Sequence, residues 1–390
     1  MKRICFLFNH DQTHQLAHSL PIALALAARG EHRIVVAYAR DAIRKEIERQ
    51  ADPALLAKVE LVHLTLKRGG SQALAGLLER VVPATKLLIY RDNLDFFRSF
   101  DAVVVSEKTS LLLKTRYGLD NLKLIHTRHG AGDRAIGLNK QSAVFDLVLV
   151  SGPKIRDRLI ADAGLAPEQI ALVGYPKFYL CADNRFADRF PAPERPTVIY
   201  NPHPSPKLSS WFKHGADVLD AFRGQDRYNL IFAPHVMLFE RKWVVTVDPP
   251  SLARVQPPGP EYAREPRIHI DTGSAASSDM SYTNRADIYL GDVSSQVYEF
   301  LRAPRPCLFL NSHGVDWQGN PNYLHWQAGP VLANADGLLG KIDAALASHP
   351  GYAPAQQALI DTTFSLSDRP SAERAADAIT EFLKGTPPRG

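Results

Sequence analysis

The 390-residue chain has only three cysteines, Cys5, Cys181 and Cys307, widely separated in sequence. They form neither a CxxC metal site nor a disulfide framework, which fits a reducing compartment, so a cytoplasmic protein is expected. No apolar run approaches the ~18 residues of a membrane span. The first apolar stretch, Ile4 to Phe8, is short for a secretory signal and is followed at once by the polar His10-Asp11-Gln12. Charge of one sign is not concentrated either. The 46 Lys+Arg and 41 Asp+Glu give a net charge of +5 and a pI near 9.0, and the basic residues are dispersed. No basic run with interleaved aromatics appears, which argues against a nucleic-acid partner. A small phosphorylated ligand, or a loose contact with an anionic membrane surface, suits such a balance better. There is no GxxxxGK[ST], no GxGxxG after the first apolar run, no GxSxG and no HExxH. His10 and His14 have helical i,i+4 spacing but no further ligand pattern, so no metal and no cofactor are expected.

What the chain does have is 45% hydrophobic residues arranged in short apolar runs alternating with amphipathic stretches. Strands are expected at 3–8, 33–38, 59–64, 102–106, 123–126, 147–151 and 170–173. Helices are expected at 15–29, closed by Gly30, at 41–50, and at 73–90 with an interruption at Pro83. Residues 181–196 are polar and proline-rich and have neither period, so they read as a linker. A second alternation follows: strands at 197–200, 228–233, 268–270, 288–291 and 307–310, with helices at 211–222 and 295–301. Residues 247–266 carry six prolines and read as a loop or insertion, and 371–384 as a closing amphipathic helix. The expected division is 1–180, the linker 181–196, 197–362 and a tail 363–390. Alternating strands and helices predict α/β architecture with parallel sheets. Two doubly wound, Rossmann-like domains would face an interdomain cleft at the carboxyl ends of their strands, where such folds bind ligands. This is the GT-B arrangement.

Three places carry candidate chemistry. In Ile288-Tyr-Leu-Gly-Asp292-Val-Ser294-Ser295, a strand runs through Gly291-Asp292 into serines that open a helix. Free amide groups and hydroxyls there suit a phosphate or pyrophosphate, and Glu299, one turn on, could accept from ribose hydroxyls. Ser294 could equally be a plain N-cap. In His126-Thr-Arg-His129-Gly130-Ala-Gly132-Asp-Arg134, a histidine beyond a strand end suits a general base, and Gly130 lets substrate approach the backbone. His126, inside the strand, reads as a packed histidine. The third place is Pro234-His235, just past the 228–233 strand, which could donate to the same phosphate. His203 and Lys207, in Asn201-Pro-His-Pro-Ser-Pro-Lys207, and Lys177, in Gly174-Tyr-Pro-Lys177, lie in comparable loops.

Taken in order, His129-Gly130, Gly174-Tyr-Pro-Lys177, 198–207, Pro234-His235, Gly291-Asp-Val-Ser-Ser295 with Glu299-Phe300, and the tail 364–379 resemble the CDP-glycerol glycerophosphotransferase family. The resemblance covers about 123–383. It implies a GT-B enzyme that works without a metal, taking a polyol phosphate from a CDP-activated donor to a hydroxyl of a glycan or lipid-linked acceptor. Such enzymes build teichoic-acid-type cell-surface polymers, and a peripheral contact with the inner face of the cell membrane would suit them. It also implies His129 as the base, with His235, Ser294 and Ser295 on the donor pyrophosphate and Glu299 on the ribose. The chain departs from the family pattern in having His129-Gly-Ala-Gly-Asp-Arg134 for His-Gly-Thr-Pro-Leu-Lys and Asp292-Val-Ser-Ser295 for Asp-Tyr-Ser-Ser. The arginine expected after Tyr200 is replaced by His203 and Lys207 nearby. Two other readings are a UDP-sugar 2-epimerase, for which Asp133, Asp271 and Asp279 are available carboxylates, and a non-catalytic sugar-nucleotide-binding module.

Overall fold

The structure, a computed structural model, describes residues 1–390 apart from 11, 79–83, 129, 135–137, 188, 248–249 and 386–390. Pro83, the expected helix interruption, and His129, the expected base, lie outside the described residues. The chain forms two compact units. One comprises Met1–His129, Ile136–Leu180 and Thr363–Gly390, and the other Gly130–Ala135 and Cys181–Thr362.

The first unit holds a seven-stranded parallel sheet: β1 (Arg3–Phe8), β2 (Arg33–Tyr38), β3 (Glu60–His63), β4 (Ala102–Val105), β5 (Lys123–Thr127), β6 (Leu147–Val150) and β7 (Ile170–Leu172), in the order β3-β2-β1-β4-β5-β6-β7. Most of these strands are apolar throughout because helices cover both faces, so alternate residues have no wet side to point toward. Ile4, Phe6 and Phe8 pack into one buried cluster, and Cys5 and Leu7 into the other. The helix Leu20–Arg29 ends where Gly30 turns left-handed (φ 67°), as expected. The tail helix, Ser371–Leu383, belongs to this unit. Ala372, Ala375, Ala376 and Ile379 enter its core, and Arg29 clamps Glu373 at 2.6 Å and Asp377 at 2.8 Å.

The second unit holds a six-stranded parallel sheet and a separate hairpin. Its strands are β8 (Thr197–Asn201), β9 (Asn229–Phe232), β10 (Trp243–Val247), β11 (Pro250–Arg254), β12 (Ile268–Ile270), β13 (Ile288–Gly291), β14 (Cys307–Leu310) and β15 (Val331–Leu332). The sheet order is β12-β9-β8-β13-β14-β15, and β10 pairs only with β11, antiparallel. Part of the stretch expected as loop is therefore a strand. Pro250 begins β11, a position at which a missing N–H is tolerated. From β8 the chain steps outward to β9 and β12, then returns to β13 and steps the other way. The reversal lies between β8 and β13, and in doubly wound sheets the ligand site sits outside the strand ends at that point.

Candidate functional site

Three neighbouring strands, β9, β8 and β13, deliver the candidate residues at their carboxyl ends. β8 pairs with β13 as far as Asn201↔Gly291, and with β9 as far as Tyr200↔Phe232. His203 follows β8, His235 follows β9, and Asp292 to Ser295 follow β13. The sheet alone thus gathers residues that sequence separates by up to 92 positions, His203 to Ser295.

The two imidazoles lie 6.3 Å apart between ring centroids. Each is prepared in the same way. The Ser205 amide donates to His203 Nδ1 at 2.9 Å, and the Met237 amide donates to His235 Nδ1 at 3.3 Å. A nitrogen that accepts has no hydrogen, so each neutral ring carries its proton on Nε2 and is a donor there. Burial pushes both rings toward that neutral form. His235 falls to about 4. His203 drops well below the ordinary histidine value, first through burial and then through the charges of His235 and Arg134.

Asp292, which its place at the strand end also makes a candidate substrate contact, is held by the protein itself. Its side chain is fully buried, and its carboxylate accepts from the amides of His203 (2.9 Å), Ser210 (2.6 Å) and Val293 (2.6 Å) and from the Ser210 hydroxyl (2.8 Å). With four protein donors on two oxygens, it fixes the His203 loop against β13 and is not placed to contact substrate. Burial outweighs those donors and raises the carboxyl to about 6.

Beyond Asp292 the two serines diverge. Ser294 is buried, and its hydroxyl accepts from the Gln296 amide at 3.3 Å, the plain capping role. Ser295 is exposed and makes no capping hydrogen bond. The helix it precedes, Gln296–Phe300, is a single turn. Glu299 is buried on that turn. Lys207 is exposed on the His203 loop. Lys177 is buried in the first unit, at the start of the turn Lys177–Leu180.

The segment Gly130–Ala135 joins this site within the second unit. A Cβ on Gly132 would stand 2.9 Å from Ser295 Cβ, and one on Gly130 3.7 Å from Ser295 Oγ. Gly130 also has φ +80°, which a side chain adopts only at a cost of about 1 to 2 kcal/mol. Gly130→Ala is accordingly expected to lower stability by about that amount in urea denaturation, with no change in slope.

Asp133 anchors the segment. Its Oδ1 accepts from Tyr298 Oη at 2.6 Å; its Oδ2 accepts from the His325 amide at 2.8 Å and faces His325 Nδ1 at 2.7 Å. His325 Nε2 and Trp326 Nε1 then reach the Asp292 carbonyl oxygen at 3.0 and 2.7 Å. Pinning that carbonyl from below sets the peptide plane at the entry to the Val293-Ser294-Ser295 turn. His325 and Trp326 belong to the long connection between β14 and β15. Nothing in local spacing marks them, because the network joins positions 192 residues apart. Arg134, close enough to His203 for its charge to be felt there, supplies a cation on the segment that was read only for its histidine and glycines. His126 is the packed histidine its strand position suggests, stacked on Phe145 at 4.5 Å.

No protein-family model matches the sequence, and no curated protein sequence does. Solved structures do match. The wall teichoic acid polymerase TagF is 15% identical over 98% of this chain and 90% of that one, with a TM-score of 0.62. A Listeria monocytogenes protein named as a UDP-N-acetylglucosamine 2-epimerase is 14% identical over 98% and 97%, TM-score 0.58. S. aureus MnaA, solved with UDP, is 14% identical over 98% and 97%, TM-score 0.59. What is shared is the fold. The chain is an α/β protein of two doubly wound, Rossmann-like units, the GT-B class.

Proposed function

We propose that the protein is a transferase that takes a nucleotide-activated donor at the carboxyl ends of β8, β9 and β13, with CDP-glycerol or a related CDP-polyol as the donor class. The observation that carries this is the pair of imidazoles, each with its Nδ1 occupied by a backbone amide, at the ends of β8 and β9, with an exposed Ser295 following the neighbouring strand β13. Two Nε2–H groups, a serine hydroxyl and the Arg134 charge together match the oxygens of a diphosphate. Solved structures of the same fold include TagF with CDPG and MnaA with UDP.

In this reading the acceptor is a hydroxyl of a glycan or lipid-linked saccharide. Its oxygen attacks the polyol-bearing phosphorus, the bond from that phosphorus to the CMP oxygen breaks, and CMP leaves. The acceptor proton passes to His129, the base that the sequence resemblance implies. His203 and His235 donate to the charge that builds on the phosphoryl oxygens. The epimerase reading would use carboxylates for proton abstraction, but those available are committed to the protein. Asp133 is held by His325 and Tyr298, Asp271 accepts from Tyr282 and Gly273, and Asp279 caps Ser281.

Incubating the purified protein separately with CDP-glycerol, UDP-N-acetylglucosamine and a CMP-sugar separates the readings. CMP released from CDP-glycerol supports the transferase. An epimerised UDP-sugar, or tight binding with no turnover of any donor, would replace it. The imidazoles add a second check. Each ring donates from Nε2 while Nδ1 stays on its backbone amide, so His235→Ala, which removes one donor to a charged phosphate, should weaken CDP binding about tenfold in calorimetry. Unchanged affinity would mean that this ring does not touch the phosphates.

A further inference from the structure

The β10–β11 hairpin is built inside out. Along β10 and β11 the residues of one face, Trp243, Val245 and Leu252, are 54%, 72% and 67% exposed. Residues of the other face, Val244, Thr246, Ser251 and Ala253, are half-buried, with the Thr246 and Ser251 hydroxyls paired at 2.6 Å. The register sets Val245 opposite Leu252 and Trp243 opposite Arg254, so the apolar side chains form one continuous strip. Antiparallel ribbons with one wet face ordinarily place polar residues on it. Here the wet face is apolar, and exposed basic residues, Arg241, Lys242 and Arg254, border the tryptophan end of the strip. The acids of residues 240–254 are Glu240 and Asp248, leaving the hairpin with a basic excess.

The size of the strip decides what covers it. Five residues per strand and two strands give a face of roughly 17 by 10 Å. A stable protein interface needs about 800 Å² from each partner, several times that area. A lipid surface has no such minimum. An indole settles at the level of the headgroups, aliphatic side chains enter the acyl boundary, and Lys and Arg are drawn to anionic headgroups. We propose that β10–β11 is an interfacial element that lays Trp243, Val245 and Leu252 onto an anionic lipid surface, held there by Arg241, Lys242 and Arg254. This stands whether or not the donor-site reading is correct, because none of these residues belongs to that site.

The test is co-sedimentation of the full chain with vesicles of phosphatidylcholine alone or mixed with phosphatidylglycerol. Binding is expected to the mixed vesicles, to weaken in high salt, and to shift tryptophan emission to the blue. Both Trp243→Ser/Val245→Ser/Leu252→Ser and Arg241→Glu/Lys242→Glu/Arg254→Glu should lower the vesicle-bound fraction more than tenfold while leaving CDP affinity and thermal unfolding unchanged. Brominated lipids added to the unmodified protein should quench emission, which supports the proposal without any variant. No partition of the unmodified protein onto anionic vesicles, or equal partition of both variants, overturns it. So does concentration-dependent self-association in sedimentation velocity that the serine variant abolishes, since the strip would then cover a second copy.

Discussion

Asp133→Ala is expected to destabilise the second unit by about 3 to 5 kcal/mol, the usual cost of breaking a buried pair from one side. Both ring nitrogens of His325 face oxygens that can only accept, the Asp133 carboxylate and the Asp292 carbonyl. Both side chains are buried, so neither partner can turn to water when the other is removed. Removing the carboxylate also takes away the acceptor that the Tyr298 hydroxyl meets at 2.6 Å. His325→Ala should cost a comparable amount. The double variant should cost clearly less than the two single losses combined, because removing the second partner also removes the buried polar group that the first loss leaves without its contact. Urea denaturation of the four proteins measures this. Simple additivity would show that the pair contributes nothing as a pair. The same losses should appear as weaker CDP binding, since the network holds both the Gly130–Ala135 segment and the turn that presents Ser295.

The second large effect concerns Asp292 and has a sign fixed by its environment. Burial raises the folded-state carboxyl from 3.8 to about 6 despite four donors. Between those values the folded protein binds more protons than the unfolded chain, so this group makes stability fall as pH rises through that window. Two units correspond to about 3 kcal/mol. Well below pH 3.8 both states are protonated, and the stabilising contribution of the neutral acid is fully present; well above pH 6 it is gone. Asp292→Asn cannot titrate. The stability of the unmodified protein minus that of this variant should therefore shrink by about 3 kcal/mol from pH 3 to pH 7. A difference that grew with pH would mean that the amides of His203, Ser210 and Val293 outweigh burial, and that the folded carboxyl lies below its unfolded value.

The parts of this molecule that sequence discloses are those whose cause is local. A strand buried on both faces must be apolar along its whole length, and Arg3–Phe8, Ala102–Val105 and Cys307–Leu310 announce themselves in that way. Loops at the carboxyl ends of such strands are then natural places for chemistry, which is how His203, His235, Ser294 and Ser295 could be singled out before any sheet order was known. Asp292 shows the limit of that reasoning. Its position at the strand end was legible, but its burial and its hold on Ser210, 82 residues away, were not. Asp133 and His325 meet only through tertiary structure. Helix Leu338–Thr363 passes through Pro350 and Pro354, residues that read as helix stops. It persists where packing compensates: Gln356, fully buried, donates to the Arg305 and Ala328 carbonyls. In the hairpin Trp243–Val247 and Pro250–Arg254, six prolines across 247–266 masked a strand pair whose exposed face is the apolar one, the reverse of the usual pattern.

The most direct measurement is a crystal structure of the protein soaked with CDP. The account predicts diphosphate density at the carboxyl ends of β8, β9 and β13, within hydrogen-bond distance of Ser295 Oγ and of Nε2 on His203 and His235, with the Asp292 carboxylate still on the Ser210 amide. Density at another place, or a diphosphate that leaves both imidazoles untouched, would contradict it.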